Sequence, residues 1–253
     1  MDRILEIVMD RDRVEVAALA QLLGVSAVTV RKDLDQLAER GLIRREHGYA
    51  TIVSQDDLTG RLAHHHELKR RIAAEAAASV PDGATIMVES GSTCALLAQE
   101  VCSVERRITI VTNSAFIAGY VRGLPGAHVV LLGGDYQSQS QCLVGPLTRL
   151  GVRQFYVSTA FVGCDGYVPG IGFTGRDHHR AEVVRAMAEQ AERTVVLTES
   201  SKLTRRGVVA LLSRAQVGEL HTDDQVASDV VGDLTAAGAV VKTVLFASTY
   251  QSD

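Results

Sequence analysis

The run from Leu19 to Leu34, Leu-Ala-Gln-Leu-Leu-Gly-Val-Ser-Ala-Val-Thr-Val-Arg-Lys-Asp-Leu, constrains this chain more than any other stretch. Val16, Leu19, Ala20, Leu22 and Leu23 give one helix an apolar face, and Val30, Leu34 and Leu37 recur at helical spacing in the next. Gly24 permits a sharp turn between them, and Ser26 is a good N-cap for the second helix. Ile4, Leu5 and Val8 predict an earlier helix, and Gly41 stands where the last one ends. Packing those apolar faces inward leaves Thr29, Arg31, Lys32, Asp35 and Gln36 on or near the exposed side. A helix with that outer face suits the major groove of DNA.

From Leu42 to Val53 two short β-prone runs flank a Gly-containing turn, which reads as a wing. Residues 1–53 therefore predict a winged helix-turn-helix with a double-stranded DNA operator as its partner. Ser26, Thr29, Arg31 and Lys32 are expected on bases and phosphates, and Arg44, Arg45 and His47 at the wing on the backbone. Charge in this unit is mixed, because Asp33, Asp35, Glu39 and Glu46 stand among the basic residues, and the whole chain carries −4. Non-specific DNA affinity should then be modest, with tight binding resting on a homo-oligomer, a dimer or tetramer.

The 253 residues, 46% hydrophobic and 22% charged, leave room for a second globular unit with a sizeable core. No apolar run has membrane-spanning length and the N-terminus lacks a secretory pattern, so no membrane partner is expected and the cytoplasm is. Four cysteines without CxxC spacing read as reduced thiols.

Residues 54–68 are polar and mixed, and read as linker. Over 69–253 strands alternate with helices. Strands are expected at Thr85–Glu89, Thr109–Thr112, Val129–Leu132, Phe155–Phe161, Thr194–Thr198, Leu220–Thr222 and Val240–Phe246. Helices are expected at Lys69–Ser79, Thr93–Val101, Ser114–Arg122 and His179–Glu192. The interleaving predicts an α/β domain with a mostly parallel sheet covered on both faces.

Five strand ends carry similar chemistry: Glu89-Ser90-Gly91-Ser92-Thr93, Thr112-Asn113-Ser114, Gly133-Gly134-Asp135, Gly163-Cys164-Asp165-Gly166 and Glu199-Ser200-Ser201-Lys202. If the strands are parallel, these loops converge on one edge. The first opens a helix, so its N–H groups and hydroxyls form a candidate anion site; an N-capped turn without a ligand is the alternative. Asn113 and the hydroxyls would bond sugar hydroxyls or phosphate, Gly133 and Gly134 would let a ligand approach backbone, Glu89 or Asp165 would accept from sugar hydroxyls, and Lys202 would add positive charge. His64-His65-His66 reads as solvated linker, since helical spacing would put the rings on different faces and no cysteine or acidic ligand set accompanies them. His178-His179 reads the same way, and no G-x-S-x-G nucleophile elbow is present. No metal, cofactor or catalytic residue is expected.

The residues from Val25 to Leu34, followed by Leu37, Gly41, Arg44, His47, Gly48 and Ala50, resemble the helix-turn-helix and wing of the DeoR family of bacterial transcription regulators. Tyr49 departs from that family's usual glycine. The resemblance continues through Arg61, Lys69, the loop from Glu89 to Thr93, Thr112-Asn113-Ser114, Gly133-Gly134, Phe161-Val162-Gly163, the loop from Glu199 to Lys202 and Thr222-Asp223. At Glu89 and Glu199 the family usually carries Asp. The resemblance implies a Rossmann-like sensor domain with a fold like ribose-5-phosphate isomerase, binding a phosphorylated sugar or related metabolite that weakens operator binding. The expected function is repression of a carbohydrate-metabolism operon. An activator using the same sites is one alternative. The other is a sugar-phosphate isomerase with a DNA-binding head, in which Glu89, Asp165 and Lys202 would be acid–base groups.

Overall fold

The computed structural model describes residues 2–246, so Met1 of the first expected domain and residues 247–253 of the second lie outside the described residues. The chain divides into two compact units, Met1–His66 and Glu67–Asp253.

In the first unit, α1 (Asp2–Arg11), α2 (Val16–Leu23) and α3 (Ala27–Glu39) bury most of the apolar residues that the spacing selects, but Leu22, expected on the inner face of α2, is 53% exposed. Ile4, Leu5, Val8, Val16, Leu19, Val30, Leu34 and Leu37 form one cluster with Leu42, Ile43 and Ala50. Gly24 caps α2 in the left-handed region at φ 64°. The wing is β2 (Ile43–Glu46) and β3 (Tyr49–Ile52), joined by His47 and Gly48 at φ 37° and 85°. Positive φ at both loop residues is the tight hairpin turn whose twist matches the flanking strands. A third strand, β1 (Arg13–Glu15), lies along β3 and was not expected. Three residues are too few to display a strand period. Tyr49 starts β3, and the Arg13 guanidinium lies 4.0 Å from its ring centroid.

The stretch expected as linker is partly helical. In α4 (Leu58–Ala63), Asp57 caps the first turn by accepting from Gly60 N–H at 2.7 Å, and Leu58 is fully buried. A Cβ at Gly60 would lie 3.7 Å from Met9 Sδ and 3.8 Å from Leu42 O, so this helix packs on the first unit. Isolated apolar residues in a polar stretch carry no periodicity, which is why the sequence hid it. His64 and His65 form the turn before α5 (His66–Ala77) and are not on a helix.

In the second unit, β4 (Thr85–Val88), α6 (Ser92–Cys102), β5 (Ile108–Thr112), α7 (Ala115–Val121) and β6 (Ala127–Leu131) form the first half. A hairpin of β7 (Asp135–Gln137) and β8 (Cys142–Val144) follows, then α8 (Pro146–Val152) and β9 (Val157–Val162). Next come β10 (Gly166–Val168), β11 (Gly172–Gly175), α9 (His178–Glu189), β12 (Ala191–Leu197), α10 (Ser200–Leu203) and β13 (Val209–Ser213). The last elements are β14 (Glu219–Asp223), α11 (Ser228–Ala236) and β15 (Val240–Val244).

The main sheet runs β15-β14-β12-β9-β4-β5-β6, with every pairing parallel. This is the Rossmann strand order with one strand added, and its direction reverses between β4 and β9. Valine-, isoleucine- and leucine-rich strands suit a sheet buried on both faces, and separate clusters around Phe173 and Leu220 and around Met87 and Val183 form its packing. All seven expected strands exist within a few residues. Helix α9 ends at Glu189, short of the expected Glu192, because Ala191 already pairs with Val157 in the sheet. The small antiparallel pieces β7–β8 and β10-β11-β13 were not expected.

Candidate functional site

Every residue expected to touch DNA is exposed: Ser26, Thr29, Arg31, Lys32, Arg44, Arg45 and His47. Three have side-chain partners within the chain. Ser26 Oγ accepts from Thr29 N–H at 3.1 Å and lies 2.9 Å from Thr29 Oγ1, so its first task is to cap α3. The Arg45 guanidinium pairs with Asp35, tying β2 of the wing to the reading helix. Arg31 and Lys32 stand outward on α3, and His47 sits at the wing tip in the left-handed region.

Val28 was missed. It is 72% exposed on α3, opposite the buried Val30, Leu34 and Leu37. An exposed valine on a reading helix suits the thymine methyl group in the major groove. Its position half a turn from the buried stripe was a legible signal.

In the second unit, the five loops named from sequence do leave the same sheet edge, but they are not equally close. Neighbouring strands lie about 4.8 Å apart, so the ends of β6 and β12, four strands apart, are separated by about 19 Å. One small ligand cannot span Gly133 and Lys202. The centre of the edge is the reversal point between β4 and β9, where loops part to opposite faces and leave a crevice.

Glu89 lies at that point. Its Oε2 accepts from Gly163 N–H at 3.3 Å across the crevice, and its Oε1 accepts from Ser90 Oγ at 2.9 Å. A Cβ on Gly91 would lie 3.0 Å from Glu89 Oε2, so a larger residue there would press this carboxylate aside by a few tenths of an ångström. Gly91 is the N-cap of α6 and provides no side-chain cap, while Ser92 and Thr93 in the first turn are buried. Ser92 Oγ is withdrawn from solvent with no hydrogen-bond partner among the described residues. The amino end of α6, with no side-chain cap, and a buried hydroxyl without a partner among the described residues therefore share one place.

Asn113 donates Nδ2–H to Leu143 O at 2.9 Å and accepts from Leu143 N–H at its backbone oxygen at 2.7 Å, pinning β8 over the end of β5. Its Oδ1 is buried with no partner among the described residues. The β7–β8 hairpin also brings Gln137 and Ser140 beside Cys142, and Gln137 Nε2 donates to Asp177 Oδ2 at 3.2 Å. Burial pushes the Asp177 carboxyl up, but the Arg180 N–H and charge and the Gln137 amide outweigh it and hold it below the usual range. Sequence reasoning missed Gln137 and Ser140, because strands of three residues have no readable period, and missed Asp177 and Arg180 at the start of α9, whose approach to the hairpin crosses 40 residues.

Gly133 and Gly134 have a packing role. Gly134 sits at φ 146°, where a Cβ would be 2.0 Å from Thr148 Oγ1 and 2.5 Å from Val144 O, and Thr148 Oγ1 donates to Gly133 O at 2.7 Å. Asp165 accepts from Arg176 N–H at 3.2 Å and faces its guanidinium at 3.3 Å. Lys202 is half-buried on α10, whose start is held by Asp223 through Ser200 N–H at 2.8 Å and Ser200 Oγ at 2.6 Å. Beside it, Glu199 Oε1 and Lys69 Nζ meet at 3.0 Å with 3% and 2% of their side chains exposed. Sequence placed both residues but not their pairing, which needs α5 and the end of β12 brought together.

All four cysteines are buried thiols outside any disulfide. Burial pushes Cys102 and Cys164 up to about 11, which leaves little thiolate for nucleophilic chemistry.

A winged helix-turn-helix and a Rossmann-type parallel sheet in one chain define the class: a DNA-binding regulator with a separate sensing domain. Residues 1–56 match the DeoR-like helix-turn-helix domain and residues 64–224 match the DeoR C terminal sensor domain. The chain belongs to the DeoR family. It is 29% identical to the glycerol-3-phosphate regulon repressor of Escherichia coli (strain K12), over 87% of this chain and 88% of that one. It is 30% identical to the HTH-type transcriptional regulator GlpR of Haloferax volcanii, over 94% of each chain. Ribose 5-phosphate isomerase A from Methanocaldococcus jannaschii aligns over 55% of both chains at 21% identity and a TM-score of 0.41. A likeness at that level says nothing of what this chain binds. The named relatives are regulators and repressors, not enzymes. The carboxylates proposed for isomerase chemistry are also engaged, Glu89 with Ser90 and Gly163, and Asp165 with Arg176.

Proposed function

We propose that the protein represses a carbohydrate-metabolism operon in the cytoplasm, and that a phosphorylated sugar or related metabolite releases it from DNA. The reading head contacts a palindromic or repeated operator through Thr29, Arg31, Lys32 and Val28 on α3, with Arg44, Arg45 and His47 at the wing and Ser26 ordering the first turn of α3. Mixed charge on this head gives each copy a limited electrostatic contribution, so two or more copies act together as a homo-oligomer.

The observation that carries the sensor reading is Ser92: its hydroxyl is buried and unpartnered in the first turn of a helix without a side-chain cap. A phosphate oxygen at this place would accept from the hydroxyl and face the positive amino end of α6. Asn113 Oδ1, one strand away, would accept from a sugar hydroxyl. One relative represses a glycerol-3-phosphate regulon, which makes small polyol and sugar phosphates the first to test.

The test is fluorescence anisotropy of a labelled DNA fragment from upstream of the protein's own gene, at low salt. Binding is expected, and sn-glycerol 3-phosphate or a hexose phosphate is expected to weaken it. Failure to bind that DNA at low salt, or binding that no phosphate ester alters, refutes the respective half of the proposal.

A further inference from the structure

Asp10 lies in the last turn of the first helix, while His64 and His65 lie more than fifty residues later in the α4–α5 turn. All three belong to the first compact unit. His64 Nε2 faces Asp10 Oδ1 at 3.3 Å, with 13% of the His64 side chain exposed. The His65 ring lies on that of His64, with centroids 3.8 Å apart and planes inclined by 30°. One ligand atom from each residue falls within 4.8 Å of the other two. We infer that Asp10, His64 and His65 form a binding site for a divalent first-row transition metal.

Consecutive side chains diverge by about 100° on a helix and alternate faces on a strand, so two adjacent histidines ordinarily cannot share an ion. Here His65 has φ 48°, and this left-handed turn folds both rings to the side of α1. Ligands at about 2.0–2.1 Å from a tetrahedral metal lie about 3.4 Å apart, close to the His64–Asp10 separation. A modest rotation of His65 completes the set. Asp12, two residues beyond Asp10, instead accepts from Gln55 Nε2 at 3.0 Å. Two imidazoles and one carboxylate suit Zn²⁺ and its neighbours, whereas Mg²⁺ and Ca²⁺ require mostly oxygen ligands. Water would complete the coordination sphere. An ion held here would join the last turn of α1 to the turn that follows α4, a cross-link within the DNA-binding unit that is independent of the effector site.

The full-length, metal-stripped protein tests this by titration with Co²⁺, read as visible absorption, and with Zn²⁺ by calorimetry. One ion per chain, tetrahedral Co²⁺ bands displaced by Zn²⁺, and no response to Mg²⁺ are expected. Loss of an outer-shell partner alone commonly weakens metal binding by about 10–100-fold, so His65→Ala and Asp10→Asn should each weaken it at least tenfold. His178→Ala with His179→Ala should leave it unchanged, which separates this site from the other histidine pair. Thermal melts confirm that each variant is folded. Absence of stoichiometric binding overturns the inference, and so does binding that survives both His65→Ala and Asp10→Asn.

Discussion

Replacing Lys69 by methionine removes the cation beside Glu199 and leaves a carboxylate with 3% of its side chain exposed facing a side chain that carries no charge. At the observed 3.0 Å, the pair attracts by about 5–6 kcal/mol in an effective dielectric of about 20. Dehydrating each ion costs several kcal/mol, so the pair as a whole adds little relative to an apolar substitute, but breaking it from one side costs about 3–5 kcal/mol. With a urea dependence of about 2 kcal/mol/M, that loss moves the unfolding midpoint down by about 2 M. The chain has no tryptophan, so far-UV circular dichroism is the suitable probe. The two compact units can unfold separately, and only the transition of the second should move. Glu199→Leu alone should cost a similar amount because it strands the ammonium. The double variant Lys69→Met with Glu199→Leu should recover most of the loss, to within about 1–2 kcal/mol of the parent. A single-variant loss below about 1 kcal/mol, or a double variant that loses the sum of the singles, refutes the reasoning.

Ser92→Ala should raise the effector concentration needed for release at least tenfold while leaving the melting temperature and operator affinity unchanged, since the hydroxyl has no partner among the described residues; an unchanged effector response removes Ser92 from the site. Arg31→Ala should cost about 1–3 kcal/mol of specific binding if it reads a base edge. Val28→Ser should relax preference at one A·T pair without changing the salt dependence, and a uniform loss across sequences would contradict the thymine-methyl contact. Burial holds His221 below the ordinary imidazole range, against the pull of Glu219 and Glu75 and with the opposing charge of Lys242. A base kept neutral by folding contributes stability that is present above the unfolded pKa and is lost as pH falls below it. Urea stability should therefore decline from pH 7 to pH 5.5, with a flatter slope in His221→Gln; equal slopes in the two proteins would exclude this origin.

The three helices of the reading head were legible because Val16, Leu19, Val30, Leu34 and Leu37 repeat with the helical period and Ser26 and Gly24 mark the ends. Most of the main strands were legible because a short apolar run leads into Gly, Ser, Thr or Asn, although β14, Glu-Leu-His-Thr-Asp, lacks that pattern. What escaped was whatever has no period: β1 at Arg13–Glu15, helix α4 with Leu58 and Gly60 buried, and the β7–β8 hairpin that carries Gln137, Ser140 and Cys142. Within the candidate effector site, the chemistry of Glu89 to Thr93 was visible, but the roles were not. Glu89, expected to accept from a ligand, is occupied by Ser90 Oγ and Gly163 N–H, and Gly134 serves the packing of Thr148.

Local periodicity and capping act between residues a few positions apart, so the order of residues was enough to establish a winged reading head followed by a parallel α/β sensor. Strand order decided the rest. Placing β9 beside β4 put Gly163 against Glu89, bringing Lys69 to Glu199 joined α5 to the end of β12, and folding the turn at His65 set two imidazoles beside Asp10. Such contacts cross tens of residues and depend on which surfaces pack together. No local pattern encodes them.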